Sequence, residues 1–395
     1  MNFMSHLSEV SEENKGGLIL PALTISRTAP QAVKIVTSLL LIEIGLTYGT
    51  GLGVTNQINT VYSAAAVVAA LLMVFLSVRY KHRSLLVIGI SLSIIATLGS
   101  CVAPNFTVLL VLSSVLGFAA NMVVPMTGSL LGELFSPERR ANVMGWLIAG
   151  PAALYVVGYP LVNLIGDWKA SFLFFAIPLV VASLALTLVG VPDREQVQTG
   201  GGILAGYKGI VTNGSALASL VTYGLGLGVW QISLSLSASF YRQELAMSRT
   251  LVSYITIGMA LAYVAGALVS GRAISVMGLK RSTLIMVALM GASTMIRFVF
   301  VNALVAIPFG FMTCLFSGVF SAAAQGLNLE QLPRLRGSMM SLTGAFGSIG
   351  SVLSLSLGGA LLTQYGWGVM GLVIGVFGIL AGGVLLLFAR DTLSA

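Results

Sequence analysis

The sequence predicts an all-α membrane protein: twelve transmembrane helices in two six-helix parallel repeats. Three observations carry that reading. Of 395 residues, 57% are hydrophobic and only 8% charged, with a mean hydropathy of +0.98. An ordinary soluble domain carries about a quarter charged residues, so a water-coated globule is excluded. The second observation is charge asymmetry. With both termini inside, only Lys169, Arg242, Arg249 and Arg297 of the 20 lysines and arginines fall on the outer side, leaving sixteen for the cytoplasmic side. The third is an internal repeat. Arg83-Ser84 opens the third span and Arg281-Ser282 the ninth; Glu133 and Glu330 close the fourth and tenth; Trp168 and Trp367 open the sixth and twelfth. These pairs lie 198, 197 and 199 residues apart, about half the chain.

The elements follow in order. Residues 1–32 read as a cytoplasmic tail: Glu9, Glu12 and Glu13 stand where a signal peptide needs a basic start and an apolar run. The first six-helix bundle covers 33–191, with spans at about 33–54, 59–78, 84–103, 107–132, 141–165 and 169–191. A polar linker, 192–213, contains Asp193-Arg194-Glu195 and Gly200-Gly201-Gly202. The second bundle covers 214–389, with spans at about 214–239, 249–271, 281–301, 303–328, 337–363 and 367–389; residues 390–395 form a cytoplasmic tail. Breaks coincide with turn chemistry at Pro104-Asn105, Gly166-Asp167 and Gln364-Tyr365-Gly366. Lipid leaves exposed strand edges unsatisfied, so the alternating run Ser233–Ser237 is read as helix.

Little in the chain suggests metal, redox or enzymatic chemistry, and no cofactor is expected. His6 lies in the tail and His82 in a basic loop. Cys101 and Cys314 fall in apolar stretches, as buried thiols rather than a disulfide. The net charge of +8 is read as retained cytoplasmic Lys and Arg, not as a nucleic-acid surface.

Of twelve acidic residues, Glu43 alone falls near the middle of a span, the first, flanked by Leu40-Leu41-Ile42 and Ile44-Gly45-Leu46. Thr47, Thr50 and Gln57 follow at four, seven and fourteen residues, so a continuous helix places them on its face. That face is expected to line a cavity. A carboxyl in such a site has its pKa raised and can couple proton movement or pair with a cationic substrate; bonding between helices is the structural alternative. No membrane-buried Lys or Arg is expected as its partner. Further cavity candidates are Asn121, Tyr155, Tyr223, Trp230, Gln231, Tyr263, Gln325 and Asn328, each of which could instead bond between helices. Arg297, deep in the ninth span, is expected to snorkel to the outer interface, with anion binding as the alternative.

The two parallel six-helix halves resemble the major facilitator superfamily of transporters. The likeness extends from about residue 33 to 390. Its loop signature, Gly-x-Leu-Ala-Asp-Arg-x-Gly-Arg-Arg, is matched at Leu76, Arg79 and Arg83, with Val78 in place of the Asp and Lys81 in place of a Gly. In the second half Gly271, Gly278 and Lys280-Arg281 match, while Ser275 replaces the Asp. The cytoplasmic charge network that this Asp serves must therefore be altered. Gly150-Pro151 resembles the kinked motif of the antiporter branches, which packs against the eighth span. Ala153-Leu154 stand where a Gly-Gly pair is usual, and Ser113 replaces the basic residue of many drug–proton antiporters.

The resemblance implies a monomeric, multi-pass carrier in the cell membrane, working by alternating access on a small-molecule substrate at a site between the halves. With Glu43 it points to proton-coupled export of small apolar or cationic compounds. Proton-coupled uptake or facilitated diffusion of a neutral solute such as a sugar is the alternative, and a non-transporting sensor a minor one.

Overall fold

The computed structural model describes residues 2–135, 137–193, 210, 212–332 and 336–389. The linker glycines 200–202 and the tail 390–395 lie outside them. The described residues are helical, with no strand among them.

The helices are α1 (Asn2–Leu39), α2 (Leu41–Tyr48), α3 (Leu52–Thr55), α4 (Gln57–Arg79), α5 (His82–Cys101), α6 (Phe106–Leu134), α7 (Pro137–Ile165), α8 (Trp168–Ser171) and α9 (Ile177–Gly190), the last two joined by a π-helical turn, Phe172–Ala176. Then come α10 (Gly214–Gln243), α11 (Arg249–Met277), α12 (Leu279–Val299), α13 (Ala303–Gln331) and α14 (Arg336–Phe388). Gly366, at φ 77° and ψ −174°, divides α14 into two helices. Among the described residues nine helices are long and apolar enough to cross a membrane, or ten if the bent pair Gly17–Leu39 and Leu41–Tyr48 is one span.

The ends form where the turn chemistry places them. Asn105 accepts a hydrogen bond from the Val108 amide at 2.9 Å, and Asp167 from the Ala170 amide at 2.7 Å. Asn213, Ser248 and Asn302 cap α10, α11 and α13 in the same way. Gly166, Gly278 and Gly366 turn the chain at φ of 77–78°, where a Cβ is disfavoured.

The start of the chain departs from expectation. The first span was expected to open near 33, yet apolar helix runs from Gly17, with Pro21 and Pro30 inside it. It breaks at Leu40, bends by 67° and resumes as α2. Arg27 therefore sits within the apolar helix, not in a tail, and Lys34 lies well inside it rather than at its start.

Two compact units result. One comprises Met1–Val36 with Val68–Thr199, the other Thr37–Val67 with Gly200–Ala395. The sequence reading placed Thr37–Val67 in the first bundle; the structure packs it with the second unit. Asn56, fully buried, donates to the Leu355 carbonyl at 3.2 Å, and a Cβ on Gly53 would strike Thr363 and Gly359.

In the first unit, α5 lies along α6, where Gly89 faces Met122 and Val123. Ser26 of α1 meets Thr187 of α9 at 2.9 Å. In the second unit α10 packs closely on α14. A Cβ on Gly350 would collide with the backbone of Gly224, and one on Gly224 would come within 2.6 Å of the Phe346 carbonyl. Gly344, on the same helix, faces open space.

These contacts set a paired prediction. Gly350→Leu forces two backbones apart and is expected to cost about 1–3 kcal/mol, lowering the detergent melting temperature by several degrees. Gly344→Leu is expected to melt with wild type. Equal melting of all three proteins would show that the α10–α14 approach does not hold this unit together.

Candidate functional site

Glu43 does not occupy an isolated mid-span position. The break at Leu40 puts it in the first turn of α2, close to the end of the span. Its two carboxylate oxygens receive both terminal nitrogens of Arg242, at 2.7 and 2.8 Å. Arg242 also donates to the Leu39 carbonyl at 3.2 Å, and Arg249 lies 4.0 Å from the same carboxylate. The sequence reading expected no basic partner because it judged burial span by span; Arg242 and Arg249 come from the end of α10 and the start of α11. Fork-to-fork pairing of this kind is both strong and directional.

Arg242 is held by its neighbours on α10. Phe240 packs edge-on against Phe298 and Trp367, with centroids 5.0 and 5.1 Å apart. Tyr241 is fully buried, and the Arg297 guanidinium lies 5.1 Å from its ring centroid. Arg297 was expected to snorkel outward. It is instead 0% exposed, bonded to the Ser237 hydroxyl and stacked near Phe298, with Nε and Nη1 lacking a hydrogen-bond partner among the described residues. A hydroxyl-rich seam draws the side chain inward: Ser233 meets Thr294 at 3.4 Å, and Thr313 donates to Ser293 at 3.0 Å.

The other expected cavity residues divide. Thr47, four residues on within α2, shares the Glu43 face as expected, whereas Thr50 and Gln57 do not, because Gly49 at φ 65° ends α2 and an extended Gly51 starts α3. Thr47 bonds back to the Glu43 carbonyl, Thr50 meets Thr55 at 2.9 Å, and Gln57 is exposed at the start of α4. Asn328 is fully buried and donates to Thr343 at 3.0 Å, which makes it a contact between helices rather than a cavity wall. Trp230 stacks on Tyr263 at 4.9 Å, and the Tyr263 hydroxyl reaches Ser321 at 3.3 Å. Tyr223 stacks on Phe320 at 6.2 Å. Gln231 and Gln325 are half-buried. Asn121 donates to the Gly117 carbonyl at 3.3 Å, one turn before Pro125, which lies inside α6.

The sequence reading missed a polar stripe on α1. Ala22, Leu23, Ala29, Ala32, Val33, Ile35 and Val36 of this helix are buried. Thr24, Arg27, Gln31 and Lys34, at helical spacing, keep accessible surface. The Tyr155 hydroxyl donates to Gln31 at 3.3 Å, and Arg27 donates to the Val124 carbonyl of α6 at 3.4 Å. The signal was present in the sequence, as two basic residues seven apart, but the late placement of the first span assigned Arg27 to the tail and Lys34 to the cytoplasmic edge of the span.

The expected conformational residues are placed as follows. Gly150, before Pro151 in α7, fits against α1, where a Cβ would come within 2.6 Å of Thr28 and 2.9 Å of Thr24. Arg79 lies beside the Tyr80 ring, and Arg83 donates to the Leu188 carbonyl at 2.9 Å. Gly278 makes the α11–α12 turn, while Gly271 faces open space. The loop network is rebuilt from other acids: Lys81 meets Asp193 at 3.1 Å and His82 meets Glu133 at 2.5 Å. Cys101 and Cys314 are free thiols, and no metal-holding cluster occurs among the described residues.

Comparison with known proteins agrees with this architecture. The family model of the Major Facilitator Superfamily matches residues 29–241 and 217–394. A triacylglyceride transporter of Mycolicibacterium smegmatis is 24% identical over 297 residues, covering 69% of this chain and 52% of that protein. A probable sugar efflux transporter of Helicobacter pylori is 28% identical over 116 residues, 29% of this chain and 30% of its own. The uncharacterised MFS-type transporter YwfA of Bacillus subtilis is 26% identical over 161 residues, 40% of this chain and 39% of that one. The chain thus spans about half or less of these curated relatives. Among solved structures, a D-xylose–proton symporter superposes with a TM-score of 0.79 at 13% identity, covering 95% of this chain and 98% of the other. A bacterial homologue of the human lysosomal transporter Spinster gives 0.70 at 13%, covering 96% and 98%. Such identities speak to fold alone. With its family model running through both halves and its helices following solved carriers nearly end to end, this chain belongs to the major facilitator superfamily, a family of membrane transporters.

Proposed function

We propose that the protein is a proton-coupled exporter of small molecules working by alternating access, with Glu43 and Arg242 as its outer latch. The observation that carries this reading is the two-pronged ion pair, with Arg249 beside it. An ionised Glu43 ties α2 to α10. A protonated Glu43 has lost the charge that holds Arg242, so taking up a proton and loosening the latch are one event. Breaking a desolvated pair from one side alone is costly, which confines opening to states where a proton or bound substrate compensates.

The remaining architecture is consistent with this reading. Counting the bent α1–α2 pair as one span, α14 as two and α7 as a further one brings the total to twelve, with both termini cytoplasmic. The latch residues then fall on the outer side, where the charge asymmetry places Arg242 and Arg249. Export as the direction is supported by the Gly150-Pro151 motif and by the likeness to proteins described as efflux transporters. A monomer in the cell membrane is the working unit we infer.

Two experiments test the latch. In proteoliposomes with a trapped pH indicator, wild type is expected to show compound-dependent proton movement under an imposed pH gradient, and Glu43→Gln to lose it. Proton movement unchanged in the variant would remove Glu43 from coupling. Charge reversal probes the contact itself. Glu43→Arg and Arg242→Glu are each expected to slow transport about ten-fold or more, from the loss of a charged pair. The double reversal is expected to restore much of the rate. A double reversal no better than the worse single variant would show that the two residues do not act as a pair.

A further inference from the structure

We propose that the stripe Arg27–Gln31–Lys34 on α1 binds an organic anion, holding its carboxylate or phosphate group, and that the cargo class is therefore anionic. This rests on the transport reading above and replaces the expectation of apolar or cationic cargo, which assumed few charges within the spans.

The argument starts from cost. An Arg and a Lys inside an apolar membrane helix are each expensive against lipid, so such residues face protein interior or water-filled paths. Over residues 26–36 the flanks of α1 are buried around them, and the residues that keep accessible surface are Arg27, Gln31 and Lys34. Arg27 and Lys34 are seven residues apart, two turns or about 10.5 Å of helix, so both long side chains project from one face. Gln31 stands between them. Its Oε1 accepts from Tyr155, which leaves its NH2 group as a donor toward a ligand.

Arg27 makes a single long hydrogen bond to a backbone carbonyl, and no carboxylate reaches it among the described residues. In the same unit, Glu133 is engaged with His82, Asp167 caps α8 and Asp193 meets Lys81. Among the described side chains the stripe therefore presents positive charge and N–H donors with no carboxylate set against Arg27. A planar guanidinium matches a carboxylate or phosphate with two parallel hydrogen bonds, and a lysine ammonium adds a second point charge. The compound that fits best carries one anionic group at Arg27 and a second anionic or polar group about two helical turns away.

The test uses the full-length protein in proteoliposomes, with radiolabelled counterflow of glutarate, glycerol 3-phosphate, ethidium and glucose. Probe-dependent thermal stabilisation of the detergent-purified protein is measured in parallel. Wild type is expected to exchange and be stabilised by glutarate, glycerol 3-phosphate or both; which of the two it prefers separates carboxylate from phosphate recognition. Arg27→Gln and Lys34→Gln are each expected to weaken anion exchange about ten-fold, the loss of a charged hydrogen bond, with Arg27→Lys intermediate. Both variants are expected to keep the wild-type melting temperature without probe.

Preference for ethidium or glucose, absence of both exchange and stabilisation by either anion, or anion exchange indifferent to both glutamine variants would overturn the proposal. Counterflow needs no net proton movement. Anion exchange that survives in Glu43→Gln, with proton coupling absent from wild type, would therefore sink the coupling mechanism while leaving the anion site standing. Glu43-dependent proton exchange of ethidium would do the reverse.

Discussion

The close approach of helix backbones at glycine is the constraint on which the second unit depends. In a bilayer, lipid tails are as apolar as leucine, so burying apolar surface does little to bring two helices together. What remains is dispersion across a short gap and the few polar contacts that a short gap permits. Gly224 lies against Gly350, Gly291 against Gly375 and Gly378, and Gly318 against the Tyr263 carbonyl. At each of these sites a single Cβ would separate two backbones.

Close packing also explains where the polar side chains go. With backbones this near, Ser233, Thr294, Ser293 and Thr313 can bond across helices, and their seam draws the Arg297 guanidinium away from the membrane surface. Tyr241 then lies against that guanidinium while Phe240 fills the aromatic cluster beside Trp367. The next residue, Arg242, is left to meet Glu43. Three consecutive residues of α10 thus link core packing to the ion pair, and the rigidity of the first two sets the direction of the third.

The first unit is organised differently. Gly150 and Gly158 let α7 sit against α1, Gly158 facing Ile35 and Phe175. Ser26 and Thr187 tie α1 to α9. Over residues 26–36 those contacts leave only Arg27, Gln31 and Lys34 with accessible surface. At the loop end, replacement of the signature Asp by Val78 is answered by Glu133 and Asp193, which engage His82 and Lys81. The acid has moved from the loop to neighbouring elements.

The sequence by itself determined the solvent, the secondary structure and most helix ends, because hydropathy, Pro, Gly and capping Asn or Asp act over a few residues. Asn105, Asp167 and Gly366 mark ends where the local reading puts them. The family was legible too, in the near-200-residue repeat and the remnants at Arg83 and Gly278. What local pattern could not supply was the path of the first span. Apolar character runs from Gly17 to Tyr48, longer than one crossing, and only packing against α7, α9 and α10 decides where that stretch bends. The bend at Leu40 moves Glu43 from mid-span to an ion pair near the end of the span, the turn at Gly49 separates it from Thr50 and Gln57, and the early start at Gly17 carries Arg27 inward and sets Lys34 deeper. Its partner Arg242 lies 199 residues away, and a pairing at that separation exists only once the tertiary structure has brought the two charges out of water together.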